Sequence, residues 1–88
     1  MKERFGEIRQ QISENDEAIV AGVNRRLELV AELWKLKAQL GFDTVDPDRE
    51  RLLRGALAAA NAGPLSAAGL DQLMTELLDL TKRELGAP

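Results

Sequence analysis

The chain contains no cysteine, no histidine and no tyrosine, and its aromatic residues are one tryptophan and two phenylalanines. Without cysteine it can form neither a disulfide nor a thiolate metal site. Most of the usual general acids and bases, nucleophile–base pairs and metal clusters are missing with these residues. If the protein is an enzyme, we therefore expect a reaction that uses positioning and electrostatics and needs no cofactor and no metal.

An excess of one charge is also lacking. Acidic and basic residues are interspersed, and the formal net charge is −3, which gives no footprint for nucleic acid or for a membrane surface. No apolar run approaches transmembrane length, and the start of the chain, Met1 to Arg4, does not resemble a signal peptide. We expect no nucleic-acid partner, no membrane partner and a cytoplasmic location.

One long amphipathic helix is predicted from about Arg4 to Leu40. Its apolar stripe recurs at steps of three and four without a proline, as one face of a helix does. Some 36 residues at about 1.5 Å each would span roughly 54 Å, whereas a compact chain of this length has a diameter of about 30 Å. The rest of the chain cannot cover such a helix, and an exposed stripe is a liability, so we predict an intertwined dimer. The stripe consists of Phe5, Ile8, Ile12, Asn15, Ile19, Val23, Arg26, Val30, Leu33, Lys37 and Leu40.

Two cations, Arg26 and Lys37, occupy positions of this stripe where an apolar residue is expected. At about 100° per residue, the step between them is three turns plus about 20°, so both point to one side of the helix. Arg9 falls about 100° short of five turns from Arg26 and is predicted to point elsewhere, toward a partner. Buried cations are costly unless paired. Two interpretations are equally compatible with this pattern. Arg26 and Lys37 bind an anionic ligand, or their aliphatic stems lie at the edge of the core while their charged groups reach water.

Two shorter helices are predicted after Gly41, which suits a helix end. Asp46 is a good N-cap for the second helix, with Pro47 in its first turn, and Ser66 is a good N-cap for the third. The expected apolar face of the second helix is Leu52, Leu53, Ala56, Leu57 and Ala60. The expected apolar face of the third is Leu70, Leu73, Met74, Leu77, Leu78, Thr81 and Leu85. We predict an all-α fold of three helices, long, short and medium, in a single domain over residues 1–88.

An ordered set of short motifs points to a known family. No one of these motifs is decisive, but the set, its spacings and the three-helix pattern are specific. On them the chain resembles the all-helical chorismate mutases over nearly its full length. In chain order the motifs are Arg9 with Asp16, then Arg25-Arg26, Lys37, Asp46-Pro47-Asp48-Arg49-Glu50, and Gly63-Pro64-Leu65.

The resemblance implies an isomerase of aromatic amino acid biosynthesis, in the shikimate pathway, that converts chorismate to prephenate by a [3,3] rearrangement. It implies a homodimer of intertwined subunits with two sites, each completed by the first helix of the other subunit. Arg26 and a cross-subunit Arg9 would hold the substrate carboxylates, and Lys37 would meet the ether oxygen and a carboxylate. The residues implied near the ring hydroxyl are Asp46 and Glu50, with Arg49 bracing them.

The third helix departs from the family pattern of a Ser-like residue followed one turn later by Gln, which donates to the ether oxygen. Thr81 fits the first position as a substrate-binding candidate. The second position falls on Leu85, or on Glu84 if the helix is shifted by one residue. Leucine cannot donate a hydrogen bond, and glutamate donates one only when protonated.

Three other functions are compatible with the sequence. The first is a mutase acting on the 4-amino analogue of chorismate. Three carboxylates, those of Asp46, Asp48 and Glu50, are expected near the substrate ring and would attract the ammonium group of that analogue. The second is an isochorismate pyruvate-lyase, against which the pair Arg49-Glu50 counts. The third is a non-catalytic or partner-activated helical dimer module, which the missing glutamine would suit.

Overall fold

The computed structural model describes residues 1–86 and contains three helices in that range. They are α1 (Lys2–Leu40), α2 (Pro47–Ala60) and α3 (Ala67–Leu85). Their lengths are 39, 14 and 19 residues, and residues 1–86 contain no strand. The prediction of an all-α fold with a long, a short and a medium helix is confirmed.

The chain divides into two compact units, Met1–Leu33 and Trp34–Pro88. The division falls inside α1, so the last turns of that helix belong to the second unit with α2 and α3. The prediction of a single domain stays a prediction.

The first unit is a stretch of helix whose apolar stripe is open to solvent in the single chain. None of the residues of α1 is buried, and Phe5, Ile12 and Ile19 are each more than half exposed. The polar side carries surface ion pairs between residues three apart, Arg4 with Glu7 and Arg25 with Glu28, both at 3.3 Å. Such pairs support a helix by a few tenths of a kcal/mol, so they do not substitute for burial of the stripe.

The second unit has a small core on α3. Met74 is 3% exposed and Leu78 is 7% exposed, and Thr81 beside them is 4% exposed. From α2, Leu53 and Leu57 are half-buried, whereas Leu52, expected on the buried face, is exposed. Three further residues expected on the apolar faces, Ala56 and Ala60 of α2 and Leu73 of α3, are also exposed in the single chain.

The connection between α2 and α3 is held by side-chain hydrogen bonds. The Asn61 side chain donates to the Leu65 carbonyl at 2.9 Å and accepts from the Gly63 N–H at 3.0 Å. Ser66 then caps α3 by accepting from the Gly69 N–H at 3.0 Å, as predicted. The Leu65 side chain packs against Gly69. A Cβ added to Gly69 would lie 2.9 Å from the Leu65 Cδ1, so a larger residue would not fit at this position without movement of Leu65. The turn into α3 is therefore fixed by local contacts.

Arg54 fastens α2 to α3. Its Nη1 donates to both the Asp71 carboxylate at 2.8 Å and the Asp71 carbonyl at 3.1 Å, and its Nη2 donates to the Thr75 hydroxyl at 3.0 Å. About a third of the Arg54 side chain is exposed, so these bonds form at the edge of the core. One planar guanidinium thus holds the first turns of α3 in three places.

Among residues 1–86, no helix has an apolar stretch of the length that a bilayer crossing needs.

We predict that Arg54→Ala lowers the free energy of unfolding by about 1–2 kcal/mol, because the Asp71 carboxylate, the Asp71 carbonyl and the Thr75 hydroxyl lose a partly buried charged donor. The measurement is urea unfolding followed by circular dichroism. The matched control is Arg51→Ala, which removes a pair with Asp48 whose side chains are more than three-quarters exposed; it should cost no more than about 0.5 kcal/mol. Equal losses in the two variants would contradict the assignment of Arg54 as the fastener.

Candidate functional site

The end of α1 is shaped by Gly41. This residue adopts φ 74°, a left-handed conformation that glycine takes without steric cost. The Phe42 N–H donates to the Lys37 carbonyl at 2.8 Å and the Gly41 N–H donates to the Ala38 carbonyl at 3.3 Å. These two bonds form a Schellman motif, which satisfies the last carbonyls of the helix. The chain therefore turns sharply at Gly41, one helical turn after Lys37.

Lys37 is tied to the loop that follows. Its side chain is half-buried, and its Nζ donates to the Thr44 carbonyl at 3.2 Å. A cation in the last turn of a helix is stabilised by the partial negative charge of the free carbonyls there. An ammonium has three donors, so the bond to Thr44 leaves the cation able to donate to a ligand.

A cleft of about 470 Å³ opens beside Lys37. Such a volume lies within the range of small-molecule sites. It brings two of the sequence-predicted site residues, Lys37 and Asp46, to one cavity, and it lies within the second unit. Its lining residues are Lys37, Gly41, Phe42, Asp43, Val45, Asp46 and Pro47.

Asp46 begins α2 as its N-cap. Its Oδ1 accepts from the Arg49 backbone N–H at 3.1 Å, and its carbonyl accepts from the Glu50 N–H at 3.0 Å. Pro47 occupies the first turn, where its missing N–H costs nothing. The sequence predicted this cap. The structure adds that Arg49 reaches Asp46 through its main chain, while its exposed guanidinium makes no ion pair within residues 1–86.

Glu50, in the first turn of α2, pairs with Lys82 in the last turn of α3. Its Oε1 lies 3.1 Å from the Lys82 Nζ, and the two side chains are only 28% and 32% exposed. The sequence reasoning missed Lys82. A signal was present, because Lys82 follows Met74 and Leu78 at steps of four and so stands on the buried face of α3.

The other third-helix candidates have different surroundings. Thr81 is buried, and its hydroxyl donates to the Leu77 carbonyl at 2.7 Å. Leu85 is half-buried and Glu84 is exposed. A hydroxyl engaged with its own helix is less available to a ligand than a free one.

Arg9 and Arg26 lie in the first unit. Arg9 is exposed, with its guanidinium carbon 4.6 Å from the centre of the Phe5 ring, a cation–π contact that holds the side chain along the helix. Arg26 is half-buried. The expectation that these arginines complete a site with Lys37 stays a prediction.

Metal-ligating residues are not clustered in the described part of the chain. Residues 1–86 contain no group of three or more such side chains that could hold a metal ion.

The family model for chorismate mutase type II matches residues 8–84. The chain therefore belongs to this all-helical family, which confirms the resemblance seen in the sequence motifs. No curated protein and no solved structure gives a significant match to the chain.

We predict that Asp46→Ala destabilises the protein by about 1 kcal/mol through loss of the cap, whereas Asp46→Asn does not, because asparagine also offers an acceptor oxygen. The measurement is again urea unfolding. The control is Asp48→Ala, which removes a carboxylate from the same turn without removing the cap. Equal destabilisation by Asn and Ala at position 46 would show that the carboxylate charge, not the cap, stabilises this turn.

Proposed function

We propose that the protein is a chorismate mutase, an isomerase that converts chorismate to prephenate within the cytoplasm as a step of aromatic amino acid biosynthesis. The observation that carries the proposal is the half-buried Lys37 beside Asp46 in one cleft, in a chain of the chorismate mutase type II family. The Lys37 ammonium can meet one charge of a dianionic substrate, in a cleft that also contains the carboxylates of Asp43 and Asp46.

The reaction needs no nucleophile and no proton transfer, which agrees with the lack of cysteine, histidine and tyrosine. It requires that the enolpyruvyl arm be held over the ring, in a conformer that is poorly populated in water. It also requires stabilisation of the negative charge that grows on the ether oxygen as the C–O bond breaks. Lys37 is the proposed source of that stabilisation, since its bond to Thr44 fixes the ammonium before substrate arrives.

The remaining roles follow the family resemblance. Arg26, with Arg9 of a second subunit, would hold the carboxylates, since a planar guanidinium binds a carboxylate through two bonds. Asp46 and Glu50 would lie toward the ring hydroxyl. The exposed apolar stripe of α1 supports the proposal of an intertwined homodimer, because a second copy offers the apolar surface that the stripe lacks.

A partner-activated or non-catalytic module is the second candidate. It is favoured by the third helix, where an exposed Glu84 and a half-buried Leu85 stand near the position of the family's glutamine. Leucine cannot donate a hydrogen bond, and glutamate donates one only when it is protonated. Lys37 would then be the main source of charge stabilisation, or a partner would supply the missing group.

The test is to incubate the purified protein with chorismate, isochorismate and the 4-amino analogue of chorismate in parallel. We expect chorismate to be consumed fastest, with prephenate as product. Lys37→Met should lower kcat by about 100-fold or more, the scale for one preorganised donor, while the methionine keeps most of the apolar stem. Lys37→Arg should not restore the rate fully.

The matched control is Lys35→Met, which removes an exposed cation from the same turn, outside the cleft. It should keep the wild-type rate. A well-folded protein that consumes none of the three compounds would favour the non-catalytic module, and pyruvate release from isochorismate would favour the lyase.

A mixed dimer tests the proposed sharing of sites. We expect Arg9→Ala and Arg26→Ala to be nearly inactive when each is refolded alone. Refolding them together should restore activity, because one of the two sites in a heterodimer then holds both arginines. Verified heterodimers without recovered activity would place both residues in the same subunit's site or make one of them structural.

A further inference from the structure

The acidic start of α2 already has its charges engaged. The Asp46 carboxylate caps the helix, the Asp48 carboxylate lies 3.3 Å from the Arg51 guanidinium, and the Glu50 carboxylate lies 3.1 Å from the Lys82 ammonium. Three carboxylates in five residues attract an ammonium when they are unpaired. In this turn, the carboxylates of Asp48 and Glu50 are each paired with a cation, and the Asp46 carboxylate accepts a hydrogen bond from the Arg49 backbone N–H.

The two ion pairs of this turn differ in their surroundings. The Asp48 and Arg51 side chains are 83% and 76% exposed, so water screens their interaction. The Glu50 and Lys82 side chains are about one-third exposed and join two helices. Charges in a lower dielectric interact more strongly. A substrate group that binds beside Glu50 therefore meets a carboxylate whose negative charge is offset by the Lys82 ammonium.

Lys82 is held in place from three directions. Its stem stands on the face of α3 that carries Met74 and Leu78, and its carbonyl accepts from the N–H of Gly86, the C-cap of α3 with φ 72°. Its head lies at the helix C-terminus, where the partial charge favours a cation. Glu50 stands at a helix N-terminus, where the partial charge favours an anion. The pair is thus preorganised by both helices.

We propose that Lys82 is a positioning and specificity-determining residue: by pairing with Glu50, it makes the ring end of the site prefer a neutral hydroxyl to an ammonium. This inference rests on the proposed function. A carboxylate has lone pairs beyond those that one ammonium uses, so Glu50 can accept a hydrogen bond from a hydroxyl while it keeps its pair with Lys82. A substrate ammonium at the same place meets Lys82 as a like charge and is disfavoured.

The experiment compares kcat/KM for chorismate and for its 4-amino analogue in wild type and Lys82→Met. The methionine keeps the stem and removes the charge. We expect the ratio of the two kcat/KM values to shift at least about tenfold toward the amino compound, since the unpaired Glu50 then attracts its ammonium. The change for the amino compound should fall mainly in KM. Lys82→Arg, which keeps a cation beside Glu50, should leave the preference near that of wild type.

Arg83→Met is the matched control, because it removes an exposed cation from the next position of the same turn. It should leave the ratio unchanged. The double variant Glu50→Gln with Lys82→Met removes both charges and should show no gain for the amino compound. If Lys82→Met does not fold, Lys82→Gln provides the same comparison.

A purely structural role of Lys82 predicts that both substrates lose rate equally, so an unchanged ratio in an active, folded Lys82→Met or Lys82→Gln variant overturns this inference alone. A wild-type protein that converts neither compound overturns the proposed function instead. Wild-type preference for the amino compound also overturns the inference, because the paired Glu50 would then not exclude an ammonium.

Discussion

The constraint on which the rest of this structure depends is that the chain covers little of its own apolar surface. Among residues 1–86, Met74 and Leu78 are the only buried hydrophobic side chains. Burial of apolar surface is the main favourable contribution to folding, and chains of this size have little of it to use. Helix caps and left-handed glycines therefore define where each helix starts and stops. The proposed pairing with a second copy supplies the burial that a stable helix of 39 residues requires.

Helix ends carry four of the charged groups considered for the site, Lys37, Asp46, Glu50 and Lys82. Lys37 and Lys82 each stand in the last turn of a helix that finishes at a left-handed glycine, Gly41 and Gly86. Glu50 and Asp46 stand at the start of α2. In each case the sign of the side chain opposes the partial charge of the helix end. The charges are therefore fixed by the fold before a ligand binds, as electrostatic stabilisation of a transition state requires.

Much of the fold was predictable because its signals are local. Asp46 with Pro47, Ser66 and Gly41 mark helix ends through chemistry that acts over a few residues, and the structure confirms them. Leu52 was placed on the buried face of α2 and is exposed, because three-and-four spacing marks a broad face but not which edge of it meets a neighbour. The roles of Arg9 and Arg26 depend on an arrangement beyond one compact unit, and they stay predictions.

Lys82 shows the limit of sequence reasoning most clearly. Its pairing with Glu50 depends on the rotation of α3 against α2, which no short motif specifies. The spacing of the family motif selects Thr81, Glu84 and Leu85 as candidates, and it does not select Lys82. A charged residue in step with Met74 and Leu78 was the available signal.

Trp34 gives this molecule a spectroscopic reporter. It is the single tryptophan in a chain without tyrosine, and it is half-buried one turn before Lys37 in the same unit. Residues three apart on a helix are neighbours on its surface, so the indole samples the turn that presents the ammonium to the cleft. Its emission comes from one known position, so a shift on titration with a non-absorbing anion reports a change in the surroundings of the helix turn that carries Lys37.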